Sequence, residues 1–467
     1  MNRRTFGMIQ RSVGIAMAFI GVLVGTSFAS GRETLQYFVA FGKWGILGAT
    51  LTALAVMVSG ITILQLGSYH RAKEHTSVFN AISGPIVSKV LDIATLTCLF
   101  CIGFAMFAGA GANLQQAFGW NIWIGAIIML VLTLLTGLMD VDKVTIAIGA
   151  FTPFIIVLLT IVAIHVISTA DIDLAHLDAQ AQQLPTTLPN WWVSAINSLG
   201  LQVIVVVSMA IVIGGNVLDI KEVGYGGILG GLLFLFLLGI LVASLFVSVD
   251  TIQDVELPTL AMISEIHPAW GIAMAFAIYG MIYNTCIGMF YAFAKRLTRD
   301  KPKRFYPVYC ASVLIGFVLS FIGFSNLIGW VYPILGYMGL AIMVIMGWAW
   351  LRNRRRLRKE NERRRRAREL VSLHFEGRHD LSAAEREELW AVAQESNIPS
   401  MELIDDVLAE QDPDHVTVAE TAAVGYGATG DAEVAGSGAA GTGAVPAGRS
   451  DPAVPHGKLQ ALLTGKK

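Results

Sequence analysis

Residues 21–38 read GVLVGTSFASGRETLQYF and lie within the first long apolar segment of the chain. Glycine and hydroxyl residues interrupt the apolar run near its middle, and an Arg-Glu pair follows at once. Because hydrocarbon cannot satisfy free backbone groups, an interrupted segment is stable in a membrane only where it faces protein or a water-filled cavity. The pattern therefore predicts a half-helix at residues 12–24, an unwound joint at 25–31 and a second half-helix at 32–41.

The composition is typical of a helical membrane protein. The 467 residues are 55% hydrophobic and only 14% charged, with a mean hydropathy of +0.62, whereas soluble domains are about a quarter charged. Most apolar blocks reach the roughly 20 residues that a helix needs to cross hydrocarbon. We therefore predict an all-α, polytopic membrane protein.

Ten membrane-spanning segments can be drawn along the chain. They are residues 12–41, 46–66, 93–112, 122–139, 144–167, 193–213, 228–247, 272–293, 307–324 and 327–348. With these spans, Lys43 is the only basic residue in the loops of one side, where the acidic loop residues collect. The positive-inside rule then predicts a multi-pass protein of the cell membrane with both termini in the cytoplasm.

Three cytosolic segments are predicted to follow a membrane domain of residues 1–350. Residues 351–369 are expected to form a polybasic juxtamembrane helix. Residues 370–412 have helical spacing and predict a small helical hairpin that is broken at Pro399. Residues 413–467 are rich in Ala, Gly and polar residues and lack an apolar period, so we predict that they are disordered.

The polybasic segment suggests a membrane partner. Arg352 to Arg368 contains eleven of the 33 Lys and Arg residues. Each basic charge close to an anionic inner leaflet contributes roughly 1 kcal/mol of attraction, which predicts contact with anionic lipids. Nucleic-acid binding is the competing interpretation, and direct attachment to a span argues against it. In the hairpin, Ser382 and Glu385 have the spacing of a capping box.

The predicted joint has the groups that a transporter site requires. Half-helix N-termini can hold anionic groups, and freed carbonyls can hold a cation. The alternative is a Gly/Ser kink that lets helices pack closely, but the charges of Arg32 and Glu33 have no use in packing and favour a site. The substrate-binding residues predicted here are Gly25, Thr26, Ser27, Ser30, Gly31 and Glu33.

The sixth span carries a weaker interruption. Ser198, Gly200 and Gln202 lie in it and are predicted to line the same site, since inverted repeats place a site between corresponding helices. Close helix packing is an equally good interpretation of these small and polar residues.

The eighth span contains a polar cluster near its middle. Tyr283 is predicted to bind substrate, and Asn284 and Thr285 supply hard oxygens that suit a small cation. Hydrogen bonding between helices is the competing role for all three.

Motifs for other chemistry are missing from the sequence. It contains no HExxH, GxSxG or P-loop pattern, so nothing indicates an intramembrane hydrolase or an ATP-driven pump. We predict that the protein is not an enzyme and has no cofactor apart from a coupling ion.

Two motifs resemble those of the YkvI-like membrane proteins. They are VGTSFASGRE at 24–33 with LQYF at 35–38, and IYNTCIG at 282–288 with AFAKRL at 292–297. The resemblance covers roughly residues 10–350. That family is similar to the amino acid–polyamine–organocation superfamily. The resemblance implies the LeuT fold, in which two inverted five-helix repeats place broken first and sixth helices around one central site.

The resemblance also implies a sodium site. By matching motifs, it would use the backbone of Gly21 and Val24, with Asn284 and Thr285 opposite. The chain departs from the family at two positions, because the family usually has a hydroxyl residue in place of Asn284 and tends to have Gln in place of Arg32.

The favoured function is cation-coupled secondary transport, with sodium or protons, of a small polar organic solute such as an amino acid, by alternating access. The alternative is a non-transporting membrane sensor or scaffold that signals through the cytosolic tail. The predicted partners are this solute and the lipid bilayer, and the sequence leaves the oligomeric state open.

Overall fold

The computed structural model describes residues 3–28, 30–137, 151–169, 172–253, 255–299, 301–375 and 381–411. Every regular element within these ranges is helical. The chain divides into two units, Met1–Ser68 with Ala72–Asn353, and Tyr69–Arg71 with Arg354–Lys467. The predicted disordered tail and the start of the predicted fifth span lie outside the described residues.

Seventeen α-helices lie within the described residues. In chain order they are α1 (Arg3–Ser27), α2 (Arg32–Tyr37), α3 (Lys43–Tyr69), α4 (His75–Ile82), α5 (Pro85–Phe118), α6 (Ile122–Thr136), α7 (Phe151–Thr169), α8 (Leu174–Ala181), α9 (Trp191–Gly215), α10 (Ile220–Val247), α11 (Val249–Ile252), α12 (Pro258–Ile266), α13 (Pro268–Leu297), α14 (Phe305–Leu319), α15 (Phe324–Phe375), α16 (Ala383–Gln394) and α17 (Ser400–Gln411). Single 3₁₀ turns lie at Val39–Phe41, Pro302–Arg304 and Ser320–Ile322.

The apolar helices match the predicted spans. Among the described residues, seven helices are long and apolar enough to cross a membrane, namely α3, α5, α9, α10, α13, α14 with its flanking turns, and α15. Shorter apolar helices at Met8–Val24, Ile122–Thr136 and Ile156–Thr169 coincide with the other three predicted spans. The membrane-spanning, all-helical class is confirmed, and the count of ten remains a prediction.

Small residues bring the first span close to its neighbour α10. A Cβ atom at Gly226 would lie 2.6 Å from Ile15 Cγ2, and one at Gly230 would lie 2.9 Å from Phe19 Cδ1. Glycine at these two positions therefore permits the close approach of α1 to α10, as is common between membrane helices. This packing buries the face of α1 that carries Ile15 and Phe19, whereas Val13 and Met17 on another face are exposed.

The first span is broken, as predicted, but its two halves have different bounds. The helix continues past Val24 because the Phe28 amide donates to the Val24 carbonyl at 3.2 Å, and it ends at Ser27. Gly31 then adopts a left-handed conformation with φ of 72° before α2 begins. The predicted joint at residues 25–31 is therefore shorter, since residues 25–27 are helical.

The predicted interruption of the sixth span is wrong. The helix α9 is continuous from Trp191 to Gly215. Gly200 instead packs against the backbone of α15, where an added Cβ would collide with the Gly336 carbonyl oxygen. The packing interpretation of this glycine is thus the correct one, and the broken sixth helix implied by the family resemblance is absent from the described residues 191–215.

The second unit contains two short helices in the region where the hairpin is predicted. Its helices α16 and α17 lie on either side of Pro399, and the capping box of Ser382 and Glu385 is present. The buried Arg364 donates to Glu360 Oε1, to the Tyr69 carbonyl and to Asn397 Oδ1, each at 2.9 Å.

Several arginines of the polybasic segment are paired within this second unit. Arg363 contacts Glu395 at 2.9 Å, Arg366 contacts Glu388 at 2.7 Å, and Arg368 contacts Glu410 at 2.8 Å. These carboxylates compete with lipid for the guanidinium groups, so the predicted contact of the whole segment with anionic lipids remains a prediction.

Candidate functional site

A buried carboxylate lies directly after the break in the first span. All six residues of α2 are buried, and the Glu33 side chain accepts a hydrogen bond from Gln202 Nε2 at 2.9 Å. The structure therefore brings together two predicted site residues that are 169 positions apart. An ionisable group inside a membrane helix bundle is a functional candidate, because burying it is costly.

One turn before Gln202, α9 presents a buried hydroxyl. Ser198 is 1% exposed, and its Oγ has no hydrogen-bond partner among the described residues. Because positions i and i+4 share a helix face, Ser198 and Gln202 lie on the same side of α9. A buried polar atom without a partner is costly unless a ligand or water satisfies it.

Residues 255–266, here called the covering segment, contain α12 and lie over the break. The Thr259 amide donates to the Ser30 carbonyl at 3.2 Å, and a Cβ at Gly31 would lie 2.7 Å from Thr259 Cγ2. Ser30 Oγ accepts a hydrogen bond from the Arg32 amide at 3.2 Å and so caps the start of α2. Ser30 and Gly31 thus shape the joint and hold the covering segment against it.

Arg32 connects the second half-helix to the same covering segment. Its Nη1 donates to the Val255 carbonyl at 2.9 Å and approaches the Gln253 carbonyl at 3.5 Å. Its guanidinium therefore reaches loop carbonyls at the end of the bundle predicted to be outer.

Gln116 is a positioning residue that the sequence did not reveal. Its amide donates to the Leu257 carbonyl at 2.8 Å and accepts from the Leu257 amide at 2.9 Å. A Gln beside a second Gln near the end of a span carries no distinctive sequence signal. Together with Arg32, it attaches the covering segment to α5 and α2.

Tyr37 and Asn197 fix α2 against the rest of the bundle. The Tyr37 hydroxyl donates to Asn197 Oδ1 at 3.1 Å, and Asn197 Nδ2 donates to the Pro333 carbonyl at 2.8 Å. The polar character of Asn197 therefore serves contacts between helices and does not mark a break in α9.

The tyrosines of the eighth span, α13, contact α6. The Tyr279 hydroxyl donates to the Gly125 carbonyl at 2.8 Å, and the Tyr283 hydroxyl is hydrogen-bonded to Thr136. These contacts fit the competing interpretation of hydrogen bonding between helices. A role of Tyr283 in binding substrate stays a prediction.

Two of the residues predicted to hold sodium lie in α13, and the other two lie in α1. Asn284 Oδ1 is buried and has no hydrogen-bond partner among the described residues, and Thr285 is buried. The helices α1 and α13 pack together. The Val24 carbonyl already accepts the Phe28 amide but retains a second lone pair. Gly21 lies one turn earlier in α1, and the side chains of Gly25, Thr26 and Ser27 lie outside the described part.

Comparison with known proteins supports the resemblance read from the motifs. No family model matches the chain. It is 24% identical over 332 residues to the uncharacterized membrane protein YkvI of Bacillus subtilis (strain 168), covering 70% of this chain and 93% of YkvI. It is 22% identical over 332 residues to the uncharacterized protein YyaD of the same organism, covering 71% and 94%.

A solved structure shares the fold. The crystal structure of MhsT in complex with L-phenylalanine aligns with a TM-score of 0.50 and 15% sequence identity, over 88% of this chain and 97% of MhsT. MhsT is a protein of the LeuT fold. The helical, LeuT-like class predicted from the motif resemblance is thereby confirmed.

Proposed function

We propose that this YkvI-like membrane protein is a cation-coupled secondary transporter of a small polar organic solute, such as an amino acid, and that it works by alternating access. The observation that carries the proposal is the buried Glu33–Gln202 pair directly after the break in the first span. The LeuT-like fold supports it, and MhsT, which shares that fold, binds L-phenylalanine. The cell membrane, with both termini in the cytoplasm, is the location we propose.

The polar groups around the break suit a solute that carries both donors and acceptors. The Glu33 carboxylate can accept from an ammonium or hydroxyl group, while the Gln202 amide can hold that carboxylate in place. The Ser198 hydroxyl lies one turn away and can satisfy a second polar group of the solute. Apolar residues surround these groups, so polar contacts that form here are strengthened by the low dielectric.

Coupling to sodium would use the oxygens of Asn284 and Thr285 with the backbone of Gly21 and Val24. Such an ion would supply positive charge beside the first span and favour the arrangement in which α1 and α13 are packed together. Coupling to protons would instead use the Glu33 carboxylate. The two routes differ in their dependence on sodium, which makes them separable by experiment.

Access from the outer side requires movement of the covering segment. In this structure, contacts from Ser30, Arg32 and Gln116 hold that segment over the break. We propose that these contacts open when solute enters from outside and form again when the site is closed on that side.

A thermal-shift screen of the purified protein tests this function. The solutes are amino acids and related polar compounds, each with and without sodium and at several pH values. A ligand at 100 times its Kd stabilises the folded state by about 2.7 kcal/mol, so a hit should raise the melting temperature of the wild type. Glu33→Gln should abolish the shift, and Glu387→Gln, which changes an exposed carboxylate of α16, should retain it. An equal shift in the wild type and in Glu33→Gln would contradict the proposed site.

The folded second unit favours the sensor as a second candidate function. Its buried ion pairs, such as Arg364 with Glu360 at 2.9 Å, indicate an ordered structure in the tail. Deleting residues 381–411 separates the two functions. A transporter should keep solute uptake after the deletion, whereas a sensor should lose its response to the solute while binding remains.

A further inference from the structure

A cavity lies on the surface of the membrane unit and is distinct from the Glu33 site. It has a volume of about 540 Å³ and lies between α3, α9 and α15. Val58 and Ser59 form one wall, and Met343, Val344 and Gly347 form the other. Val58 is 56% exposed and Val344 is 62% exposed, and both lie on spans. The cavity is therefore a groove that opens toward the hydrocarbon of the bilayer.

The two hydroxyl groups that line this groove are already hydrogen-bonded. The Ser59 hydroxyl donates to the Ala55 carbonyl at 2.9 Å, and the Thr62 hydroxyl donates to the Val58 carbonyl at 2.9 Å. Both hydroxyls are thus satisfied within α3, and the remaining lining is aliphatic or aromatic. A groove with this lining, open to the bilayer, suits a hydrocarbon chain.

One end of the groove carries a positive charge. Trp348 lines that end, and the guanidinium carbon of Arg352 lies 5.2 Å from the centroid of its ring. Trp is typical of the membrane–water interface, and a cation over its ring face is held by the ring quadrupole. Arg352 is therefore positioned at the level of the lipid head groups, where its donors match a phosphate.

We propose that this groove binds one anionic phospholipid, with an acyl chain along α3 and α15 and the phosphate at Arg352. Charge complementarity selects an anionic lipid over a zwitterionic one, because no carboxylate lines the groove and Arg352 borders it. The site does not depend on the proposed transport activity.

Two glycines offer a matched pair of variants. Gly347 lines the groove, and an added Cβ there would meet no atom within 4 Å, so Gly347→Phe should fill the groove without disturbing the fold. Gly239 on α10 is also free of neighbours within 4 Å and lies outside the groove, so Gly239→Phe is the control. Ser59→Leu fills the groove from the opposite wall if Gly347→Phe fails to fold.

Native mass spectrometry of the full chain with phosphatidylglycerol or phosphatidylcholine tests the proposal. The wild type and Gly239→Phe should retain one phosphatidylglycerol that Gly347→Phe loses. Arg352→Gln should weaken phosphatidylglycerol binding about fivefold, as expected for one interfacial charge. Arg354→Gln removes an equal charge about 200° further around the helix and should leave phosphatidylglycerol binding unchanged. Equal retention of both lipids by the wild type, retention by Gly347→Phe, or a protein dimer in place of bound lipid would overturn the proposal.

Discussion

Gly31 is the residue at which the first span changes direction. Its φ of 72° is rarely adopted by residues with a side chain, and its Cβ position is 2.7 Å from Thr259 Cγ2. Gly31→Ala should therefore lower the free energy of unfolding by about 1–3 kcal/mol, which a thermal melt of the purified protein can measure.

The control for Gly31 is Gly288→Ala. Gly288 lies within α13, and an added Cβ meets nothing within 4 Å. Because Ala is the better helix former by about 1 kcal/mol, this variant should melt at the wild-type temperature or above. Equal melting temperatures of the two variants would contradict the strained joint.

Gln202 is the residue that holds the buried carboxylate. Gln202→Leu removes the donor 2.9 Å from Glu33. A hydrogen bond to a charged group contributes about 1.5–3 kcal/mol, so affinity for a stabilising solute should fall roughly 10- to 100-fold. Isothermal titration or the thermal shift measures this. Gln183→Leu changes an exposed Gln and should bind normally; if it weakens binding as much, Gln202 has no special role.

Single residues of the site were only partly predictable from the sequence. Gln202 donates a hydrogen bond to Glu33, and both were expected at one site because a charged or polar residue inside an apolar span needs a partner. Gly200 and Tyr283 carry the same kind of signal, yet Gly200 packs against α15 and Tyr283 bonds to α6. Composition alone does not distinguish a polar group that faces a site from one that joins two helices.

The side chain of Gln116 attaches the covering segment to the helix α5. Gln116 satisfies both the amide and the carbonyl of Leu257. Gln116→Leu leaves both backbone groups without this partner, so we expect faster hydrogen exchange at the Leu257 amide, by about tenfold or more for each 1.4 kcal/mol lost. Gln115→Leu, at the exposed neighbouring position, should leave the exchange unchanged. Unchanged exchange in Gln116→Leu would show that other contacts hold the segment.

The ends of helices were predictable where capping side chains close to them in sequence determine them. The capping box of Ser382 and Glu385 occurs as the sequence indicates. The end of α1 was predicted too early, because helical hydrogen bonding continues through the Gly25–Ser27 region to Phe28. Gly200 in the continuous α9 packs against α15, and such tertiary contacts have no local sequence signal.

The stability of the second unit should depend on pH through His70. Burial, with a smaller contribution from Arg364, lowers the pKa of His70 to about 4, whereas an unfolded His titrates near 6.5. Between these values the unfolded chain binds more protons. The free energy of unfolding should therefore fall by roughly 3 kcal/mol as the pH is lowered from 6.5 to 4, and His70 should contribute no change above 6.5.

Hydrogen exchange of amides in α16 and α17, corrected for intrinsic rates, measures this pH response in the full chain. His70→Gln should remove the contribution of His70, while His267→Gln, at an exposed position, should retain it. A pH response that is the same in wild type and His70→Gln would exclude His70 as its source.

The broken first span is proposed to bind a solute and to move it across the membrane. The most direct measurement is the electrical current of the purified protein in proteoliposomes on a solid-supported membrane, on rapid addition of each polar solute. We predict a transient current for at least one solute in the wild type, dependent on sodium or on pH, and no current in Glu33→Gln. If no solute produced a current with correctly folded wild type, or if Glu33→Gln carried the same current, the account would be contradicted.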